Sequence, residues 1–145
     1  MKEIKLVLDN DVLERYNEYY FKNHPRARKK PIEKPRHPSI NVWCILPRIQ
    51  MNDLKQKWKD FGVWWIKDLG LDGMMLDNFE VIQTVYFDSK RRSDIDNFTG
   101  KFIHDSWSEA RFIVDDDYRH FKSLTMKCDY DKEYPRTEFI VRILD

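Results

Sequence analysis

"FEVIQTVYFDSKRRSDIDNFTGKFIHDSW", residues 79–107, changes period midway, and that change decides the fold. Residues 79–88 are β-branched and aromatic enough for a strand. Further on, Phe98, Phe102, Ile103 and Trp107 recur at the spacing of one helix face, and Asp96 and Asn97 are both good N-caps for the helix they begin. The strand thus delivers the chain through Lys90, Arg91 and Arg92 to two aspartates at i, i+2, Asp94 and Asp96.

Working outward, "EIKLVLD" alternates Ile4, Leu6 and Leu8 on one face, as a half-buried strand does. Leu54, Trp58, Phe61 and Trp65 follow helical spacing, with Asn52 or Asp53 as a cap and Gly70 just past the end, so the pattern predicts a helix over 53–69. Gly62 inside it costs roughly 1 kcal/mol against alanine and permits close packing. Trp58, Trp64 and Trp65, at helical spacing, read as core or subunit contacts before base-stacking platforms. Toward the end, Leu124, Met126 and Cys128, then Phe139, Val141 and Ile143, alternate like two strands, joined by a polar connection with Pro135; they read as an antiparallel hairpin. The order strand, helix, strand, helix, strand, strand predicts one α+β domain over 1–145, a mixed, mostly antiparallel sheet with helices packed against it.

Two fifths of the chain is apolar, enough to bury a core. No run approaches a membrane span, and "MKEIKLVLDND" lacks a signal peptide's apolar core, so a cytoplasmic protein with no membrane association is expected. Cys44 and Cys128 have no CxxC partner and read as reduced core thiols. The net charge of +1 hides an uneven distribution: residues 22–36 hold seven basic side chains, Arg28, Lys29 and Lys30 among them, against Glu33 alone. With Pro25, Pro31 and Pro35, residues 10–36 read as a mobile basic arm or loop that seeks phosphate.

Two carboxylates at i, i+2 face the same way only on an extended segment, so Asp94 and Asp96 converge if the strand continues to them. Converging carboxylates repel, which favours a metal or a tight set of hydrogen-bond donors between them. An EF-hand is excluded, because Phe98, Thr99 and Asp105 occupy the fifth, sixth and twelfth loop positions. A second cluster follows at Asp115, Asp116 and Asp117, and a helix of about a dozen residues can return it toward the first. Three carboxylates with open water positions suit Mg²⁺ or Mn²⁺. Lys101 shares a helix face with Asn97 and Asp105, within reach of the carboxylate end of such a site. His104 and His120 read as surface or hydrogen-bonded residues, not ligands.

"RRSDIDNFTGKFIHDSWSEARFIVDDD" resembles the RusA-type Holliday junction resolvases: a basic run, D-x-D-N, a lysine on the following helix, then an aliphatic residue and paired aspartates. "HPSIN" at 37–41 is similar to that family's P-S-x-N element. The resemblance implies a RusA-like fold and a homodimeric, Mg²⁺-dependent endonuclease that resolves four-way DNA junctions in recombination and repair. It implies that Asp94, Asp96 and Asp116, with Asp115 as the alternative, bind metal and that Lys101 assists at the phosphate. Lys90, Arg91 and Arg92, with Arg28, Lys29 and Lys30, would contact DNA. Two departures stand out: Lys101 follows the second aspartate by five residues, not four, and residues 10–36 are longer than the family's usual first connection. A nuclease on flaps or other branched DNA, and a module that binds branched DNA without cutting it, share these features.

Overall fold

The computed structural model describes residues 2–144 and forms one α+β domain of two layers. Strand β1 (Lys2–Asp9) buries Leu6 and Leu8 and ends at Asp9, whose carboxylate accepts from Val12 N at 3.0 Å and caps helix α1 (Asn10–Asn23). This helix corrects the reading of 10–36 as an arm. Val12, Leu13 and Tyr16 form a buried stripe at i, i+1, i+4, and the prolines that break regular structure begin only at Pro25. The remaining basic segment is also tied down. Ile32 is buried, the Pro35 carbonyl accepts from Thr137 Oγ1 at 2.8 Å, and His37 is buried.

A short helix α2 (Ile40–Trp43) leads to α3 (Arg48–Asp68), which starts earlier than expected, after Pro47. Asp53 therefore lies inside the helix, paired with Lys57 one turn on at 3.0 Å. The C-terminus is as predicted: Gly70 is left-handed, its N–H bonds Lys67 O, and Leu71 N–H reaches back to Ile66 O, closing a Schellman motif. Strand β2 (Phe79–Phe87), a 3₁₀ turn (Ile95–Phe98), α4 (Lys101–Glu109), β3 (Phe121–Tyr130) and β4 (Arg136–Ile143) complete the chain.

The sheet order is β1-β4-β2-β3, so the expected terminal hairpin does not form. β4 inserts between β1 and β2, antiparallel to both, and β3 runs parallel to β2 at the edge. Composition explains the choice. β4 buries Thr137, Phe139 and Val141 and gains from partners on both sides, whereas β3 carries Lys122, Lys127 and Asp129 and suits an edge. Parallel β2 and β3 need a crossover, which α4 provides.

Alternate residues of β1, β2 and β4 meet Phe61, Trp65, Ile66, Ile103 and Trp107 of α3 and α4 in one core. Trp58 and Trp65 are buried and Trp64 is half-buried. α3 and α4 approach closely at Gly62, where a Cβ would fall 1.8 Å from Ser106 Oγ. The other sheet face carries ion pairs, Arg142 with Glu3 at 2.9 Å and Arg136 with Glu138 at 2.7 Å among them. No disulfide forms. Cys128 is half-buried on edge strand β3 and Cys44 follows α2 and is exposed, so neither is the core thiol expected. No helix among the described residues is long and apolar enough to cross a membrane.

Candidate active site

The segment that carries the aspartates is fixed from beneath by buried polar groups. Gln83, fully buried on β2, donates to Phe98 O at 3.0 Å and accepts from His104 Nε2 at 3.1 Å, which pins the 3₁₀ turn over the strand. His37 holds it from the side: Phe102 N–H donates to His37 Nε2 at 3.0 Å, so Nδ1 carries the proton and donates to Pro38 O at 2.8 Å. Burial pushes His37 down to about 4 and His104 down to about 3, the latter helped by His37 and Lys101, so both rings are neutral. The "HPSIN" element is thereby locked to the first turn of α4. Gly100, left-handed at the N-cap of α4, completes the junction; a side chain there would crowd Gln83.

β2 ends at Phe87, well before Asp94, so the two aspartates do not share a pleated strand as expected. Asp94 is extended and precedes the 3₁₀ turn, Asp96 lies within it, and both are exposed. Asp94 instead lines a cavity of about 310 Å³ with Ser39, Asn41, Arg92 and Asn97. Through Ser39, Ser93 and Phe98 that cavity adjoins a cleft of about 680 Å³ lined by Lys30, Lys34, Arg36 and Arg91, with Val42, Leu54 and Trp58 as its apolar floor. Arg36 stacks on Phe87 at 5.2 Å, and burial lowers its pKa.

Of the expected DNA contacts, Arg91 and Lys30 line the cleft and Arg92 lines the Asp94 cavity. Arg28 and Lys29 are exposed on the approach to Lys30. Lys90 turns to the end of β3, 5.2 Å over Tyr130. Lys34, Arg36, Ser39 and Asn41 join the groove without having been singled out individually as contacts, although their signal, the basic run and "HPSIN", was present.

The second acidic cluster divides into distinct roles. Asp117 is bound by Arg119 through its backbone N–H at 2.9 Å and its guanidinium at 2.8 Å, which holds the carboxyl down to about 2. It is a turn residue. Asp115 accepts from Asp116 N at 2.7 Å. Asp116 is the perturbed member: burial raises its pKa, and a hydrogen bond with Asp105 raises it further, against a smaller lowering by Asp115. Asp105 was missed as a site residue, although its place one turn after Lys101 was visible. Lys101 opens α4 and is exposed. His120 is hydrogen-bonded to Asp77 at 2.6 Å, donates its backbone N–H to Asp117 O at 3.1 Å and helps hold the Asp117 carboxyl down.

Burial and the neighbouring Asp105 both raise the Asp116 carboxyl, so these two acids are close enough to disfavour each other's charge. The three-carboxylate set of Asp94, Asp96 and Asp116 is not assembled: among the described residues no three His, Cys, Asp or Glu side chains come together to hold a metal. No protein-family model matches the chain, and no curated protein matches it either.

Proposed function

We propose that the protein is a Mg²⁺-dependent, structure-selective endodeoxyribonuclease of the RusA type, which resolves four-way DNA junctions as a homodimer in the cytoplasm. The observation that carries this reading is the continuity of the groove. Four basic side chains line a cleft that opens into the cavity holding Asp94, so a phosphate backbone bound by Lys30, Lys34, Arg36 and Arg91 runs toward the acidic turn. Ser39 and Asn41 supply neutral donors there, which position a phosphate without adding charge.

In this reading Asp94, Asp96 and Asp116, apart in the free protein, would hold the ion once DNA binding brings them together, with Asp105 beside Asp116 and Mn²⁺ as an alternative. Mg²⁺ held there would supply Lewis-acid chemistry, acidifying a water and neutralising phosphoryl charge. Lys101, one helical turn from Asp105, places positive charge where a phosphodiester oxygen gains negative charge. The neutral His37 and His104 act through position only, fixing the turn and the start of α4. Two symmetric nicks require two sites, hence the dimer.

The test is cleavage of a labelled four-way junction beside linear duplex and a flap, with Mg²⁺ and with EDTA. Paired, Mg²⁺-dependent nicks in opposing strands are expected, and Asp96→Asn and Asp116→Asn should abolish them while leaving junction binding within about threefold of wild type or tighter, because a carboxylate facing phosphate is removed. Efficient flap cutting would replace the resolvase by a general branched-DNA nuclease. Junction binding without cleavage under any divalent ion would make the protein a non-cutting module.

A further inference from the structure

A cavity of about 720 Å³ opens between α1 and α3 and shares no lining residue with the two clefts described above. Its wall is aromatic. Tyr16, Tyr19 and Tyr20 follow one face of α1, and the Trp64 ring stands 5.1 Å from Tyr16 and 6.1 Å from Tyr19. The lining also holds the carboxylates Asp60, Asp68 and Glu109, against Lys67 as its one permanently charged cation.

The surface already binds one guanidinium. Arg15 lies 5.6 Å over the Trp64 ring and pairs with Asp68 at 2.8 Å, so an arginine of this chain combines ring and carboxylate at the cavity edge. Glu109 is likewise partnered, by Lys59 at 3.7 Å. Asp60 is not: it accepts from Gln56 at 2.7 Å and has no cationic partner among the described residues. Its charge reaches Tyr16, whose phenol is raised above its ordinary range first by burial and then by Asp60. An accessible ring, Tyr19 at 48 % exposure, completes the arrangement on the open side.

We propose that the α1–α3 cavity is a docking site for a basic polypeptide, and that it takes an arginine side chain whose guanidinium lies against the Tyr19–Trp64 wall and pairs with Asp60. Polypeptide is favoured over nucleic acid because Asp60, the one of these carboxylates without a cationic partner among the described residues, would repel a phosphate. Arginine is favoured over lysine because a planar, weakly hydrated guanidinium stacks on a ring and hydrogen-bonds a carboxylate in its own plane, whereas an ammonium does not stack. The inference is independent of the nuclease reading. A protein partner can sit here while the basic cleft, built from other residues, holds DNA.

The test is an amide and indole NMR titration of the ¹⁵N-labelled full chain with the peptide acetyl-GRGRGR-amide, its lysine counterpart and a glycine-serine peptide of equal length. Saturable shifts are expected at the Trp64 indole and along residues 16–20 with the arginine peptide, weaker ones with lysine and none with glycine-serine. Asp60→Asn, an exposed position at which folding is verified by the unperturbed remainder of the spectrum, should weaken binding about fivefold, the effect of losing one surface ion pair worth about 1 kcal/mol. Tyr19→Ser should weaken it as well. The proposal is overturned by no shift at millimolar peptide, by shifts mapping to the Asp105–Asp116 pair, by equal response to lysine, or by an Asp60→Asn titration identical to wild type.

Discussion

Asp116 is the residue at which charge and stability are most directly in conflict. Its folded pKa lies above the ordinary carboxyl value because burial and Asp105 disfavour the anion. A carboxyl raised in this way stabilises the fold below its unfolded pKa and loses that contribution as pH rises through the folded value. Asp116→Asn should therefore raise the urea midpoint at pH 7 in EDTA, with the gain shrinking toward pH 3. Added Mn²⁺ should raise the wild-type midpoint and leave the variant unmoved; an equal rise in both would place the ion elsewhere. His37 has the opposite sign. Its folded pKa is pushed down to about 4, so its contribution is complete above the unfolded value of about 6.5 and is lost as pH falls through that window. Between pH 7 and 4.5 this one group costs about 2 kcal/mol. His37→Gln, which keeps an acceptor for Phe102 N–H, should be less stable than wild type at pH 7 yet flatter in its midpoint from pH 7 to 4.5. Parallel acid limbs for the two proteins would exclude His37 as their source.

The contact between α3 and α4 turns on one missing side chain. A Cβ at Gly62 would lie 1.8 Å from Ser106 Oγ and 2.5 Å from Ser106 Cβ, a clash with a side chain anchored to Ile103 O. Gly62→Ala gains about 1 kcal/mol of helix propensity and loses more to overpacking, for a net destabilisation of about 2 kcal/mol. Ser106→Gly removes both clashing atoms, so the double variant should recover much of that loss in chemical denaturation; strictly additive effects would mean the helices separate freely. Gly62 was legible in the sequence as a close approach because a glycine interrupts an otherwise strong helix pattern. The α4 stripe and the Schellman end at Gly70 were legible for the same reason, since local periodicity and backbone conformation decide them. Helix α1 was obscured by grouping residues 10–23 with a basic run that begins later. The terminal strands were mispaired because a five-residue connection suggests a hairpin, whereas pairing is decided by which strand gains from a central position. At the site, residue types pointed to Asp116 and "HPSIN", but the Gln83–His104 and His37–Phe102 contacts join residues far apart in sequence and had no local signal.

Across the whole molecule, a net charge of +1 is resolved into separate fields: a basic cleft beside Asp94, an aromatic and acidic cavity between α1 and α3, and an ion-paired sheet face. On the proposed function, such a layout would let a nearly neutral protein bind a polyanion on one side, because screening over about 10 Å separates the fields at moderate salt. The cleft then has a measurable signature. Each lysine or arginine that neutralises a phosphate releases counterions and adds about 0.9 to the slope of log K against log salt. Lys34→Ala with Arg91→Ala removes two exposed cleft cations that make no ion pair among the described residues, so the fold should be unchanged within about 0.5 kcal/mol. Affinity for a four-way junction should fall by one to two orders of magnitude at low salt, and the slope should drop by about 2. Lys132→Ala, on the turn between β3 and β4, is a control that removes one charge outside the cleft and should shift neither quantity, where a pure charge effect would give half the loss of the double variant. If both proteins lose affinity in that proportion, binding follows overall charge and the groove has no privileged role; if the double variant alone falls with the predicted slope, the phosphate path runs through the cleft toward Asp94.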